Sequence, residues 1–172
     1  HITSADAVKF INEQSMVAAT ITIHHLMVNR NIMLSKGIRP DFYCAPILKK
    51  EYDRRALVQA AISGNGKFFL GTDSAPHVAG KKIASCGCAG IFSSPLAIPL
   101  LIQLFEEHGS LEKIDPFMSR NGRAFYGLRQ HKDRVRYVKK PKSIEVIKDV
   151  KTSDGKITVF NPYSEIYWEK EN

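Results

Sequence analysis

The sequence predicts an α/β protein assembled from βα units, on three observations. Phe68-Phe69-Leu70 is a short run of β-formers bracketed by Gly64-Asn65-Gly66 and Ser74-Ala75-Pro76, and it reads as a buried strand. Residues 16–23 make a second apolar, β-branched run of strand length. Helical spacing lies between the two runs at Tyr52, Leu57 and Ile62, and beyond them over residues 95–108. Strands that alternate with helices in this way form a sheet with helical cover.

Taken in order, Thr3 or Ser4 is placed to cap a helix with Asp6 in its first turn and Val8, Phe10 and Ile11 along one side. The strand at 16–23 follows. Residues 24–48 hold Asn29, Asn31, Gly37, Arg39-Pro40 and Pro46, and are expected to be long and irregular. Loops of that length inside a compact domain are usually functional. Residues 50–62 form a helix stopped by Ser63-Gly64. After the strand at 68–70, a stretch to Gly90 with Gly80, Lys81-Lys82 and Gly87 reads as an active-site loop. Residues 95–108 are helical and closed by Gly109, and 111–125 form a shorter helical set interrupted at Asn121-Gly122. From Val135 the pattern changes to β-like runs at 135–137, 143–150 and 156–160, with a turn at Asp154-Gly155. Tyr167 and Trp168 are expected to pack against the body of the fold. Two segments result, a βα body over 1–128 and a basic, β-rich C-terminal extension over 129–172 packed on it.

Apolar residues make up 44% of the chain and mean hydropathy is −0.20, ordinary for a soluble globular protein. No apolar run approaches the roughly 20 residues of a membrane span, and the first residues carry no secretory signal pattern. Neither a membrane role nor a secreted one is expected. Three cysteines, two of them in Cys86-Gly87-Cys88, make no disulfide framework, so reduced thiols in a cytoplasmic protein are expected. The net charge of +8 is uneven, since residues 129–156 hold ten Lys and Arg against four Asp and Glu, a local +6. An RNA- or phosphate-binding patch is one reading of that run. It carries no nucleic-acid motif and a single aromatic, Tyr137, so a solvated face or subunit contact is favoured over a nucleic-acid partner.

Chemistry gathers where the 68–70 strand ends. Asp73 follows the apolar run directly, and His77 lies four residues on. A carboxylate at a strand end can ligate a metal or take a proton, and a histidine one turn of loop away can reach the same substrate. Spacing alone leaves a helix N-cap aspartate and a surface histidine equally open.

The wording around these residues is more specific. Leu70-Gly71-Thr72-Asp73-Ser74-Ala75-Pro76-His77, then Ser85-Cys86-Gly87-Cys88-Ala89-Gly90, resemble the region of the last barrel strand in the dihydroorotase family of the amidohydrolase superfamily. Three further stretches resemble the same family in the same order. They are His1-Ile2-Thr3-Ser4, then Ala19-Thr20-Ile21-Thr22 with His25-Leu26-Met27, and Gly37-Ile38-Arg39-Pro40 through Tyr43-Cys44-Ala45-Pro46-Ile47-Leu48-Lys49. The resemblance covers about residues 1–128 and fades over the rest. It implies the C-terminal part of a (βα)8 TIM barrel of the metal-dependent hydrolase type, because 172 residues fall short of the roughly 200 a complete barrel needs. The expected partner is therefore the missing N-terminal half of the barrel, without which the chain is expected to be inactive.

By the same resemblance, the reaction is the reversible, zinc-dependent cyclisation of N-carbamoyl-L-aspartate to L-dihydroorotate in pyrimidine biosynthesis. Two zinc ions per active site and a homodimer are implied. His1 falls on the sixth-strand zinc ligand. Asp73 falls on the eighth-strand aspartate, which ligates zinc and carries the proton to the leaving nitrogen. His77 and the backbone amide of Ala89 fall on groups that hold the substrate carboxylate, and the backbone at Ala45 on one that reads the ring's amide edge. The family's His-x-His pair, carboxylated lysine and fifth-strand histidine have no counterpart in these 172 residues. Ala45 stands where leucine is frequent, which takes bulk from the pocket wall, and Ile23 stands where proline is frequent.

Other residues carry plainer readings. His24-His25 looks like a metal pair, but the matching site in the resembling proteins lies behind the pocket, so a structural role is favoured. Cys86 and Cys88 with Cys44 could hold zinc, yet one intervening residue is short of the usual two to four, and buried loop cysteines are favoured. His108 and His131 are expected to face solvent. Two other function classes stand beside the enzyme. One is a non-catalytic dihydroorotase-like subunit for assembly with pyrimidine-pathway enzymes, against which the retained His1, Asp73 and His77 argue. The other is a basic RNA-binding module over 129–156.

Overall fold

The computed structural model describes every residue from 1 to 172 except Lys36, Cys86, His131 and Asn172. Ser4 caps helix α1 (Ala5–Glu13), its hydroxyl accepting the Ala7 amide, while the Asp53 carboxylate accepts the Ala5 amide. Ile11 is buried and Val8 packs beside it, but Phe10 lies off that i, i+3 stripe and is exposed. Strand β1 (Ala19–Ile21) is shorter than the expected 16–23. Met16 is 88% exposed, and at the other end the Thr22 hydroxyl accepts the His25 amide and turns the chain into helix α2 (Ile23–Met27). Residues 24–48 are therefore less irregular than expected, since α2 opens them and α3 (Asn31–Leu34) and a 3-10 turn at Pro40–Phe42 follow.

Helix α4 (Glu51–Ile62) begins with Glu51 and Asp53, acids that suit the positive end of the helix dipole. It stops at Ser63, and Gly64 takes the left-handed conformation (φ 76°) that ends it. Strand β2 (Phe68–Leu70) then returns parallel to β1, in the register Ala19↔Phe68, Thr20↔Phe69 and Ile21↔Leu70. Parallel neighbours need a long crossover, and α4 is part of it. On the other side of β1, the Ile2 amide donates to the Thr20 carbonyl at 3.0 Å, so the first residues run alongside.

Helix α5 (Ala79–Lys82) lies in the loop after β2, and α6 (Ala97–Glu107) is apolar nearly all round, with Leu100, Leu101 and Phe105 fully buried. Gly109 closes it (φ 60°). The helical set beyond it ends in a π turn at Pro116–Arg120 that runs directly into α7 (Asn121–Phe125). Asn121-Gly122 does not interrupt the helix, contrary to expectation. The Asn121 amide group donates to the Phe68 carbonyl at 3.0 Å. A Cβ on Gly122 would lie 3.0 Å from the Phe69 ring. The glycine is there to let the helix lie on β2.

The C-terminal extension makes two antiparallel pairs. Strand β3 (Tyr137–Lys139) lies against a last strand at Trp168–Lys170, and β4 (Asp149–Thr152) forms a hairpin with β5 (Gly155–Thr158). The last strand is β6. The hairpin turn is at Ser153-Asp154, one residue earlier than expected, and only the end of each predicted β-like run enters a strand in the 135–137 and 143–150 segments. Val159, Phe160 and Ile166 are buried in the same core as α6. Gln103 binds the Glu165 carbonyl and the Tyr167 amide, and the Trp168 indole donates to Glu106 at 3.0 Å, as expected of those two aromatics. Part of the basic run is taken up internally, in ion pairs of Arg136 with Glu171, Lys139 with Glu106, Lys140 with Glu169 and Lys156 with Asp149. Exposed pairs of this kind contribute little stability, on the order of 1 kcal/mol or less each. No helix among the described residues is long and apolar enough to cross a membrane.

Removal of residues 129–172 would uncover α6 and take three buried side chains from the core. The shortened chain is expected to lose cooperative thermal unfolding and its near-UV circular dichroism; a sharp, two-state melt of residues 1–128 would show a self-sufficient body instead.

Candidate functional site

The ends of β1 and β2 build the first part of the site. The Gly71 amide donates to the Ile21 carbonyl at 3.2 Å, extending the pairing past Leu70. A Cβ on Gly71 would lie 2.6 Å from Thr20 Cβ and 2.8 Å from His1 Cε1, so only glycine lets the strand end, Thr20 and the His1 ring meet. His1 Nδ1 shares a 2.8 Å hydrogen bond with the Thr20 hydroxyl. A ring fixed at Nδ1 keeps Nε2 for another partner, the arrangement metal-binding histidines adopt. Two residues beyond Gly71, Asp73 is exposed and has positive φ (42°), a conformation aspartate tolerates better than most residues. His1 and Asp73 thus emerge at the same end of the parallel pair.

The loop after β2 builds the second part. The Ser74 hydroxyl accepts the Ser93 and Ser94 amides at 3.1 and 3.0 Å, and the Ala75 amide donates to the Ile91 carbonyl at 3.0 Å. His77 Nε2 donates to the Ala89 carbonyl at 3.2 Å. Gly90 is required beneath this contact, because a Cβ would stand 2.6 Å from Ala75 Cβ and 2.8 Å from His77 Nε2. The amides on either side of Ala89 are spent on neighbouring carbonyls, Cys88 on Lys81 and Gly90 on Tyr43. That last bond, 2.9 Å long, draws the 43–45 segment alongside, where Ala45 is exposed before Pro46.

Sequence reasoning missed Lys82. Its side chain is buried, and Nζ donates to the carbonyls of Tyr43, Cys88 and Gly90 at 3.2, 3.1 and 2.6 Å. The available signal was Lys81-Lys82 in a glycine-rich loop, which reads as surface charge unless burial is known.

His24, His25 and Cys44 gather with donor atoms within 4.8 Å of one another, all three buried. His25 has both nitrogens engaged, Nδ1 with the Thr22 hydroxyl at 2.6 Å and Nε2 donating to the Pro46 carbonyl at 2.9 Å. The Cys44 thiol donates to the same carbonyl, and burial pushes its pKa up to about 11, so it stays protonated. Both His24 nitrogens are buried without a hydrogen-bond partner, and the ring packs 4.7 Å from His25 and edge-on to Phe160. Burial, followed by the neighbouring His25, lowers the His24 pKa to about 3, and burial lowers that of His25 to about 4. The trio is buried and its histidines neutral, with His25 and Cys44 committed to the Pro46 carbonyl and the His24 nitrogens unpartnered. Cys86, the centre of the three-thiolate alternative, and His131 lie outside the described residues; His108 is exposed.

The chain resembles known dihydroorotases along its whole length. It is 46% identical over 173 residues to the dihydroorotase of Chelativorans sp. (strain BNC1), a match covering 100% of this chain and 50% of that one. With the dihydroorotase of Vibrio vulnificus (strain CMCP6) it is 54% identical over 140 residues, or 81% of this chain and 41% of the relative. The chain is a dihydroorotase homologue. Dihydroorotase from Campylobacter jejuni superposes with a TM-score of 0.85 at 28% identity, over 100% of this chain and 50% of that structure. The Saccharomyces cerevisiae dihydroorotase, solved in complex with 5-fluoroorotic acid, gives a TM-score of 0.79 at 32% identity, over 99% and 50%. No family model matches the chain. The chain spans about half the length of the dihydroorotases it matches, the C-terminal half, and its fold is that part of their TIM barrel. The match to the Chelativorans relative runs through the C-terminal extension, whereas the more identical match to the Vibrio vulnificus relative covers 81% of the chain.

The buried histidine pair makes stability depend on pH. An unfolded histidine titrates near 6.5, and both folded values are depressed, so the stabilisation is complete above about pH 6.5 and lost as pH falls toward 4 and then 3. Each unit is about 1.4 kcal/mol, so the two together reach several kcal/mol, a large share of the roughly 5–15 kcal/mol that holds a domain folded. Urea unfolding is expected to show a much lower midpoint at about pH 5 than at about pH 7.5. His24→Phe, which keeps the ring contacts and removes one titration, is expected to shrink that difference; an equal fall in both proteins would contradict the assignment.

Proposed function

We infer that this chain provides one wall of a dihydroorotase active site, which closes N-carbamoyl-L-aspartate to L-dihydroorotate and reopens it. The observation that carries the reading is the contact of Gly71 with Thr20 and His1, which brings a histidine with a free Nε2 to the strand end that leads into Asp73. Nitrogen and carboxylate donors of this kind suit zinc. His1 and Asp73 are the residues of this chain that would hold it, in a site of two ions. When bound, zinc polarises the amide carbonyl and offsets the negative charge that develops on its oxygen.

The chain's own residues supply the rest. In the hydrolytic direction the Asp73 carboxylate takes a proton from the attacking water and passes it to the ring nitrogen as the C–N bond breaks. His77 already gives Nε2–H to the Ala89 carbonyl. The same ring would donate a hydrogen bond to the substrate carboxylate, the role that the resemblance gives it. The Ala89 amide holds that same end, and the backbone at Ala45 reads the ring's amide edge. Alanine at 45 leaves the pocket wall roomier there than leucine would.

The parallel sheet has two strands among the described residues, and a further strand would add at the edge of β2 away from β1, where Asn121 now meets the Phe68 carbonyl. Pairing along that edge closes a barrel and brings the remaining ligands. The N-terminal half of the barrel, in the same polypeptide or another, is the partner that fits, in a homodimeric enzyme. These 172 residues alone are expected to be inactive.

The assay is cyclisation of carbamoyl aspartate by the complete barrel, with intact mass and zinc content measured on the same preparation. Turnover is expected with about two zinc ions per site, and Asp73→Asn is expected to lower kcat by roughly a hundredfold or more, as loss of a general acid–base does. An Asp73→Asn enzyme of normal kcat would refute the role of Asp73. A complete barrel without turnover or stoichiometric metal would favour the non-catalytic assembly subunit.

A further inference from the structure

Among the described residues, Lys82 is the one lysine or arginine that is buried, at 8% exposure. An ammonium group has three hydrogens to donate, and three backbone carbonyls take them: Gly90 at 2.6 Å, Cys88 at 3.1 Å and Tyr43 at 3.2 Å. Its acceptors sit in two loops far apart in sequence. Tyr43 follows the 3-10 turn at Pro40–Phe42, whereas Cys88 and Gly90 follow α5, on which Lys82 itself stands. The Tyr43 carbonyl accepts a second bond, from the Gly90 amide, so the two loops are joined twice at one point.

A buried cation is costly unless its surroundings need it. Here its contacts are all to main chain, and charge-assisted bonds of this kind are stronger than neutral ones. The acceptors flank particular peptides: Cys88 and Gly90 bracket Ala89, and Tyr43 is two residues from Ala45. None of the three bonds goes to His1 or Asp73.

We propose that Lys82 is a positioning residue for substrate binding, its ammonium fixing the 43–45 and 88–90 loops at the spacing at which the backbones of Ala45 and Ala89 grip one substrate. The inference rests on the reading of those two peptides as substrate contacts. Lys82 acts through the loops alone, so its loss falls on binding and leaves the proton transfer at Asp73 in place.

The test is made in the complete, zinc-loaded enzyme with Lys82→Ala. KM for dihydroorotate is expected to rise about tenfold or more with kcat within about threefold, the scale on which small misplacements act. Zinc content is expected to be unchanged. Propylammonium, which can re-enter the vacated channel and donate three hydrogen bonds, is expected to lower KM again in a saturable way, and tetramethylammonium, which has no N–H, is not. Lys82→Met keeps the bulk without the donors and carries the same KM comparison if the alanine variant does not fold. An unaltered KM, a parallel loss of kcat and zinc, or equal effects of the two ammonium ions would overturn the proposal. Unmodified enzyme assayed alongside separates the two readings. If it turns over no dihydroorotate the site assignment fails, whereas normal turnover with an unaltered variant KM overturns the role of Lys82.

Discussion

The close approach at Gly71 is the constraint on which the site depends. Two parallel strands bring their backbones to hydrogen-bonding distance, but the side chains beyond the last pair decide whether they stay together. A single absent methyl lets β2 continue against Thr20, and Thr20 then takes hold of the His1 ring. Asp73 leaves the same strand end in a backbone conformation that turns it away from a regular strand. The meeting of His1, Thr20 and the end of β2 is thus prepared by close packing and one glycine.

Beyond the strands, the loops lack a ladder of backbone hydrogen bonds and must satisfy their polar groups otherwise. Side chains do this here. Ser74 takes two amides at the start of the turn before α6, His25 and Cys44 converge on the Pro46 carbonyl, and Lys82 collects three carbonyls. The loops beyond the strand ends are therefore cross-linked by polar side chains rather than by strand register. Buried histidines kept neutral are a by-product of the same economy.

The fold was legible where local signals and tertiary packing agree. Phe68-Phe69-Leu70 is a strand, residues 51–62 and 97–107 are helices, and Ser4 caps the first one. It was illegible where a side chain changes the meaning of a pattern. Thr22 reads as part of a β-branched run, yet its hydroxyl caps a helix. Asn121-Gly122 reads as a breaker, yet the asparagine binds the Phe68 carbonyl and the glycine makes room for Phe69. His1, Asp73 and His77 could be put forward as candidates from local wording, because their signal lies within a few residues. Lys82 could not, since its partners Tyr43 and Gly90 are brought to it only by the fold.

The C-terminal extension carries the chain's single tryptophan, and Trp168 bonds its indole N–H to Glu106 on α6. Intrinsic fluorescence of these 172 residues is therefore a local gauge of the extension's docking. Its emission follows whether β6 sits on α6, while the tyrosines and phenylalanines around the strand ends stay silent at that wavelength. A titration of this chain that changes tryptophan emission therefore describes the seat of β6 on α6 rather than the strand ends.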